Sequence, residues 1–481
     1  MINDDFNDCE LMGKIYIAFQ LDTEDFINEA TDDVLIELVK IFDKHDVKVT
    51  FAIVGEKARA LERRNRRDVI EALRKHDIAY QSNLHSVHPV ITEYVRELDW
   101  SEGVEEVIRR ELEGVIDIAR IFGKWPKAFV QPGGSWTPQA VYAIRKMRIN
   151  VYADGIFESG PFWYCGVLGI RYTIHFREDK AHLDDYLKEL KEEFEAQYSK
   201  LKDMGGVIII LFHPCMLVTK EFWDALNFAK GVNNDRVTYS VLYPAEIVRA
   251  KLRNLDKFVQ FLKKHDVEFV TLSELYDLFK EPSKVRLTMN EIEMISDHFA
   301  RKLKYLKLGR YYISPAEAFY ALSSFLSSYY LEGKLPSIVE CAKVLGPIQK
   351  PRTLKRRVII SLSEFLKKVC EVKLYLNAMG VIPHEIKIER HTIGPGDFMK
   401  AMASTCLKLL EKRPIREISV EPFRQAPELD FDLEDRVKRG WKWIIFPEKF
   451  SAPRILEYTL LQSWTLKPAV LRKEMSGRSS S

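Results

Sequence analysis

Three short polar stretches have the residue types to do chemistry: LDTED at 21–25, LHSVHP at 84–89 and LFHP at 211–214. Asp22, Glu24 and Asp25 can take a proton or hold a cation. His85, His88 and His213 can donate a proton, accept one or ligate a metal. One carboxylate and two imidazoles around an open position would suit Zn²⁺, with Fe²⁺, Co²⁺ or Ni²⁺ as alternatives. Such an ion polarises a carbonyl or phosphoryl oxygen and lowers the pKa of bound water, while a carboxylate can take the water's proton and an acid can protonate a leaving group. Each group also has an ordinary reading. Acids crowd the first turn of many helices, a histidine can simply end a strand, and two polar residues can sit on a surface loop. Only convergence in space separates the two.

The elements needed for convergence are legible. KIYIAFQLD (14–22) is a continuously apolar strand that ends on its carboxylate, and TDDVLIELVKIFDKHD (31–46) follows at helical spacing with an acidic first turn. VKVTFAIVG, KAFVQPGG, INVYADG and GVIIILFHP continue the strands, with amphipathic helices between them. Strand–helix alternation with fully apolar strands indicates a parallel sheet covered by helices, in seven or so units, so a barrel or distorted (β/α) barrel is expected. Chemistry in barrels sits at the carboxyl ends of the strands. Asp22, Glu24 and Asp25 follow the first strand, His85 and His88 the third, Gln131 and Trp136 the next, Asp154 another and His213 a late one.

From about residue 284 the pattern changes to helices such as MNEIEMISDHFARKLKYL, SPAEAFYALSSFLSSYYL and GDFMKAMASTCLKLLEK, the second opening on a Ser314 cap and Pro315. No exact internal repeat is visible. Two domains are expected, a barrel over 1–283 and a basic, mainly helical domain over 284–481. The chain's net charge of +3 divides into −10 up to Ser283 and +13 beyond it. A basic surface either solvates its own domain or faces an anionic polymer. The six cysteines are far apart with no CxxC pair, which favours reduced thiols and a cytoplasmic location. The acidic amino terminus lacks a signal peptide's apolar run, and no stretch reaches the roughly 20 apolar residues of a membrane span.

Taken together, FQLDTED, the histidine turn after DIAYQ, VQPGGSW, LFHP and the closing VTLSELYDL resemble, in order and interval, the polysaccharide deacetylase (NodB-homology carbohydrate esterase) family over residues 12–281. The resemblance implies a distorted (β/α) barrel with fewer than eight units. It also implies metal-assisted removal of an N-acyl group, N-acetyl foremost, from an amino sugar or polysaccharide. By position Asp22 matches the family's base and His213 its proton donor, with Glu24 or Asp25 as the metal carboxylate. Gln131, Gly133, Gly134 and Trp136 fall on the substrate-facing turn, where the family usually has Arg-Pro-Pro-Tyr. Its arginine is missing here, and Asp154 is a replacement partner.

The alignment puts Gln81 where the family has its first metal histidine, and His85 at the second. Either His88 completes the site with His85, or the metal is bound weakly and Gln81 belongs to a sugar-recognising relic. Three functions follow: a metal-dependent amide hydrolase, a carbohydrate-binding protein on the same barrel, or an interaction protein whose basic part binds an anionic polymer. The aromatics of FWDALNFA, Trp223 among them, read as core of an amphipathic helix.

Overall fold

The computed structural model describes residues 13–157, 160–281, 284–309 and 311–471. Cys9, the acidic amino-terminal stretch and the SGRSSS tail lie outside them. The chain forms two compact units, and neither is one continuous segment. The first takes the residues up to His88 with Arg110–Pro132 and Ile170–Leu278; the second takes Pro89–Arg109, Gly133–Gly169 and Phe279–Ser481.

The first unit is built on seven parallel strands among the described residues: β1 (Ile15–Thr23), β2 (Thr50–Ile53), β3 (Asp77–Tyr80), β4 (Ala128–Val130), β5 (Ile174–His175), β6 (Gly206–Phe212) and β7 (Glu268–Phe269). Their order is β4-β3-β2-β1-β6-β5, with β7 pairing the early part of β1. β4 and β5 do not pair, so the sheet stays open, as in a distorted barrel. β1 is buried along its whole length and is flanked on both sides, by β6 and by β2 with β7. That position explains its IYIAF run: a strand covered on both faces carries no polar alternation. The helix Ala30–Lys44 buries Val34, Leu35, Leu38, Val39 and Phe42, the stripe its sequence spacing predicts.

Register places the chemistry. Leu21 pairs with Phe212, so the next residues, Asp22 and His213, leave adjacent strands at the same level. Ile53 pairs with Tyr80, which sets Gln81 beside that edge. Pro214 then opens the short helix Pro214–Val218 and stops β6 at His213.

The carboxyl-terminal part of the second unit combines helices with short strands. Among the described residues of 284–420, eight short strands accompany four helices, in one element order used twice. The strand Lys284–Thr288, helix Met289–Phe299, hairpin Leu306–Leu308/Tyr311–Ile313, helix Pro315–Glu332 and strand Ile338–Ala342 form the first copy. Val358–Ser361, Leu362–Met379, Ile386–Ile388/His391–Ile393, Pro395–Leu410 and Glu417–Val420 form the second. In each copy the first strand pairs antiparallel with the last. The two copies share one core, in which Phe319, Phe365 and Phe398 meet. Ser314 caps its helix as expected, its hydroxyl accepting from the Glu317 N–H with Pro315 in the first turn.

The described cysteines are all free thiols. No helix among the described residues is long and apolar enough to cross a membrane.

Candidate active site

The acid loop is held from several sides by protein donors. Gln20 Nε2 donates to Asp22 Oδ1 at 3.0 Å. Gln81 Nε2 donates both to Asp22 Oδ2 and to Glu24 Oε2, each at 3.1 Å, so one side-chain amide bridges the two carboxylates. Trp223 Nε1 donates to Glu24 Oε1 at 3.0 Å. His85 Nε2 stands 3.0 Å from Glu24 Oε2. Burial alone would raise the Glu24 pKa. The charge and hydrogen bond of His85, with His213 and Trp223, outweigh burial and lower it.

The loop bearing His85 is bent into place. Ser82 (φ 66°) and His85 (φ 51°) both take left-handed backbone, with the His85 N–H bonded to Ser82 Oγ at 2.9 Å. A left-handed non-glycine residue costs about 1–2 kcal/mol, and the surroundings offset this. Asn83 donates its N–H to Glu111 Oε2 and its Nδ2 to Arg110 O, while Arg59 donates to Asn83 Oδ1. Close approach needs small residues: a Cβ on Gly114 would stand 2.6 Å from the Tyr80 hydroxyl.

The proton count on His85 follows from its neighbours. Its Nδ1 lies 2.7 Å from Ser86 Oγ, and that hydroxyl gives its only proton to Asp224 Oδ2 at 3.2 Å. Ser86 must therefore accept from Nδ1–H, while Nε2 faces a carboxylate. Burial would hold the His85 pKa down, but the Glu24 charge and hydrogen bond raise it, with Asp224 and Asp22 adding to them.

His213 is the reachable acid. Glu178 Oε1 accepts its backbone N–H at 2.5 Å and stands 3.3 Å from its Nδ1, while Nε2 looks toward Asp22 Oδ2 at 3.9 Å. The side chain is 16% exposed and rests edge-on against Phe222. Burial alone would lower the His213 pKa. The Glu178 hydrogen bond and charge, with Glu24 and Asp22, overcome that and raise it to about 10.

The remaining predicted residues are placed elsewhere. Asp25 turns its carboxylate onto the N–H groups of Ile27 and Asn28, both at 2.9 Å, and onto Asn28 Nδ2. It shapes the turn before the first helix. His88 bonds through Nε2 to Phe228 O at 2.9 Å, away from Glu24. Gln131 follows β4, half-buried. Gly133, Gly134, Trp136 and Asp154 belong to the second unit. There Trp136 is buried against Tyr152, Phe157 and Tyr164 and donates Nε1 to Thr459 Oγ1 at 3.1 Å, so it is a core aromatic of that unit. A Cβ on Gly134 would come 2.4 Å from Gly440 O, so that glycine allows a close backbone approach.

Among the described residues two groups of ligating residue types are close enough to share a cation: Asp22 with Glu24 and His213, and His175 with Glu178 and His213. In the first, Gln81 directs an NH₂ group at both carboxylates, and Gln20, Trp223 and His85 also engage the oxygens of Asp22 and Glu24. Of the ligands expected from the sequence, Glu24 and His85 meet, while Asp25 and His88 are turned to other partners. Glu178 and Asp224 were not anticipated from the sequence. The one available signal was the His-x-x-Glu spacing in HFRE, just after a strand.

No family model matches the sequence, and no curated protein matches it. Among solved structures the chain is similar to a peptidoglycan N-acetylglucosamine deacetylase, with 16% identity, 56% of this chain and 92% of that one covered and a TM-score of 0.34. It is similar to an allantoinase, with 16% identity, 55% and 90% covered and a TM-score of 0.37. It is also similar to a CE4-family pseudoenzyme from Bacillus anthracis, with 14% identity, 55% and 65% covered and a TM-score of 0.31.

Proposed function

We propose that the first unit is a hydrolase that removes an N-acyl group, N-acetyl foremost, from an amino sugar or a related acylated amide. The observation that carries this reading is His213, held between Glu178 at Nδ1 and Asp22 at Nε2. A carboxylate and an imidazolium at that spacing suit the two proton transfers of amide hydrolysis. Asp22 takes a proton from the attacking water, and His213 Nε2–H gives one to the nitrogen as the C–N bond breaks. Glu178 keeps the imidazole charged and oriented. Gln20 and Gln81 hold the Asp22 oxygens in place by their side-chain amides.

Acetate release from N-acetylglucosamine oligomers tests this, using the full chain and its Asp22→Asn and His213→Gln variants. Each variant should lose about 10²-fold or more in rate. A wild-type chain that releases no acetate, or variants that keep its rate, would sink the hydrolase.

Gln81 favours a second reading, a carbohydrate-binding protein that has lost catalysis. Its amide joins Asp22 to Glu24 and leaves both carboxylates internally satisfied. Calorimetric titration with the same oligomers separates the two: binding without acetate release selects the second.

A further inference from the structure

We propose that His175, Glu178 and His213 form a divalent-cation site on the side of His213 that faces away from the acid loop. One coordinating atom from each lies within 4.8 Å of the others. Glu178 Oε1 is 3.3 Å from His213 Nδ1, and Oε2 is 3.9 Å from His175 Nε2. Ligand atoms around a tetrahedral zinc lie about 3.4 Å apart, so these spacings need only small side-chain shifts.

His175 Nε2 is the telling atom. It is buried and has no hydrogen-bond partner among the described residues, although the side chain as a whole is 37% exposed. A buried imidazole nitrogen with no partner costs free energy that a cation accepting its lone pair would recover. The segment is also preorganised. The Phe176 N–H bonds to Leu211 O at 2.8 Å, and the Arg177 N–H bonds to the Tyr186 hydroxyl at 2.5 Å, fixing the turn between His175 and Glu178.

Two imidazoles and one carboxylate favour Zn²⁺, Co²⁺ or Ni²⁺ over Mg²⁺ or Ca²⁺. Binding releases the Nδ1 proton of His213 to solvent and leaves Nε2–H directed toward Asp22. The site therefore differs from the seat at Glu24, whose carboxylate already receives Trp223, Gln81 and His85. It shares His213 and Glu178 with the hydrolase reading, so a bound cation would take the Nδ1 contact that Glu178 makes there.

The test uses the chelator-stripped full chain titrated with Co²⁺, followed by visible absorption and equilibrium dialysis. One Co²⁺ per chain is expected, with His175→Ala and Glu178→Gln each weakening binding by more than about tenfold. Glu24→Gln should leave binding unchanged. His175→Asn, checked for wild-type melting, replaces the alanine variant if that one misfolds. No cobalt uptake overturns the site. So does binding that survives loss of His175 but disappears with Glu24→Gln, since the cation would then sit on the acid loop. Acetate release is measured on the metal-stripped chain, so its absence removes the hydrolase whatever cobalt does, while cobalt uptake alone leaves this site standing.

Discussion

Gln81 decides what the acid loop can be. A histidine there would offer a lone pair toward Glu24, whereas the amide offers two hydrogens and closes the space between two carboxylates. Trp223 completes the closure from the other side, its indole N–H on Glu24 Oε1 and its ring tilted against His85. If Glu24 depends on these donors, removing one leaves a buried carboxylate oxygen unpaired. A double-mutant cycle of Trp223→Phe and Glu24→Gln, read by urea denaturation, should give a coupling of about 1–3 kcal/mol. Additive single effects would show that the indole only fills space. The cycle matters because Trp223 also packs on Phe26 and Phe228, and truncation alone would mix a void with a lost hydrogen bond. At this scale legibility followed the strands. Asp22, Glu24, His85 and His213 stood out because each follows a recognisable apolar run. Glu178 follows a two-residue strand too short to announce itself, and the fully buried Trp223 looked like any core aromatic. Burial does not reveal that an indole also has a carboxylate to serve.

The duplicated elements of the second unit show how two copies diverge under local constraint. Both second helices open on Ile-x-Pro, as Ile313-Ser314-Pro315 and Ile393-Gly394-Pro395, yet only the first uses a hydroxyl cap. The second has no room for one: a Cβ on Gly394 would come 2.0 Å from Arg352 O. Asp397 keeps the other half of the cap, its Oδ2 accepting the Gly394 N–H at 3.1 Å as Glu317 accepts the Ser314 N–H in the first copy. The far ends differ in the same way. Pro315–Glu332 closes on left-handed Gly333 (φ 69°), whereas Pro395–Leu410 passes through left-handed Lys412 (φ 55°). A lysine pays a steric cost that glycine avoids. Lys412→Gly should therefore raise stability by up to about 1 kcal/mol, read as a higher melting temperature, while Gly333→Ala should lower it by a similar amount. A fall with Lys412→Gly would mean that the lysine side chain gives more than its backbone costs. The repeat escaped the sequence because its strands are three to five residues long, too short for alternation to register, and because helix signals dominated the segment. The helices and the Ser314 cap were legible for the opposite reason: long periodic runs and a cap box are local.

For the whole molecule, the order of segments along the chain is not the order of compact units. Charge and composition change near residue 284, but Gly133–Gly169 clusters with Phe279–Ser481. The reason is visible in the side chains that 133–169 leaves to be covered. Trp136 and the Tyr164 hydroxyl both bond to Thr459, Cys165 N–H bonds to Thr465 Oγ1, and the strand Phe162–Tyr164 pairs with Lys467–Pro468. A chain ending at residue 283 loses all of these partners at once. Trp136 and Tyr164 keep Tyr152 and Phe157 beside them but lose the cover of 453–468, and each 100 Å² of apolar surface so exposed costs about 2.5 kcal/mol, a large share of the stability of many domains. The truncated chain should therefore aggregate, or melt without a cooperative transition, while the full chain melts cooperatively. Size-exclusion chromatography and calorimetry on the two decide it. A monomeric 1–283 chain with an unchanged melting temperature would show that 133–169 packs well enough alone, and that the acidic and basic parts of the sequence can be studied apart.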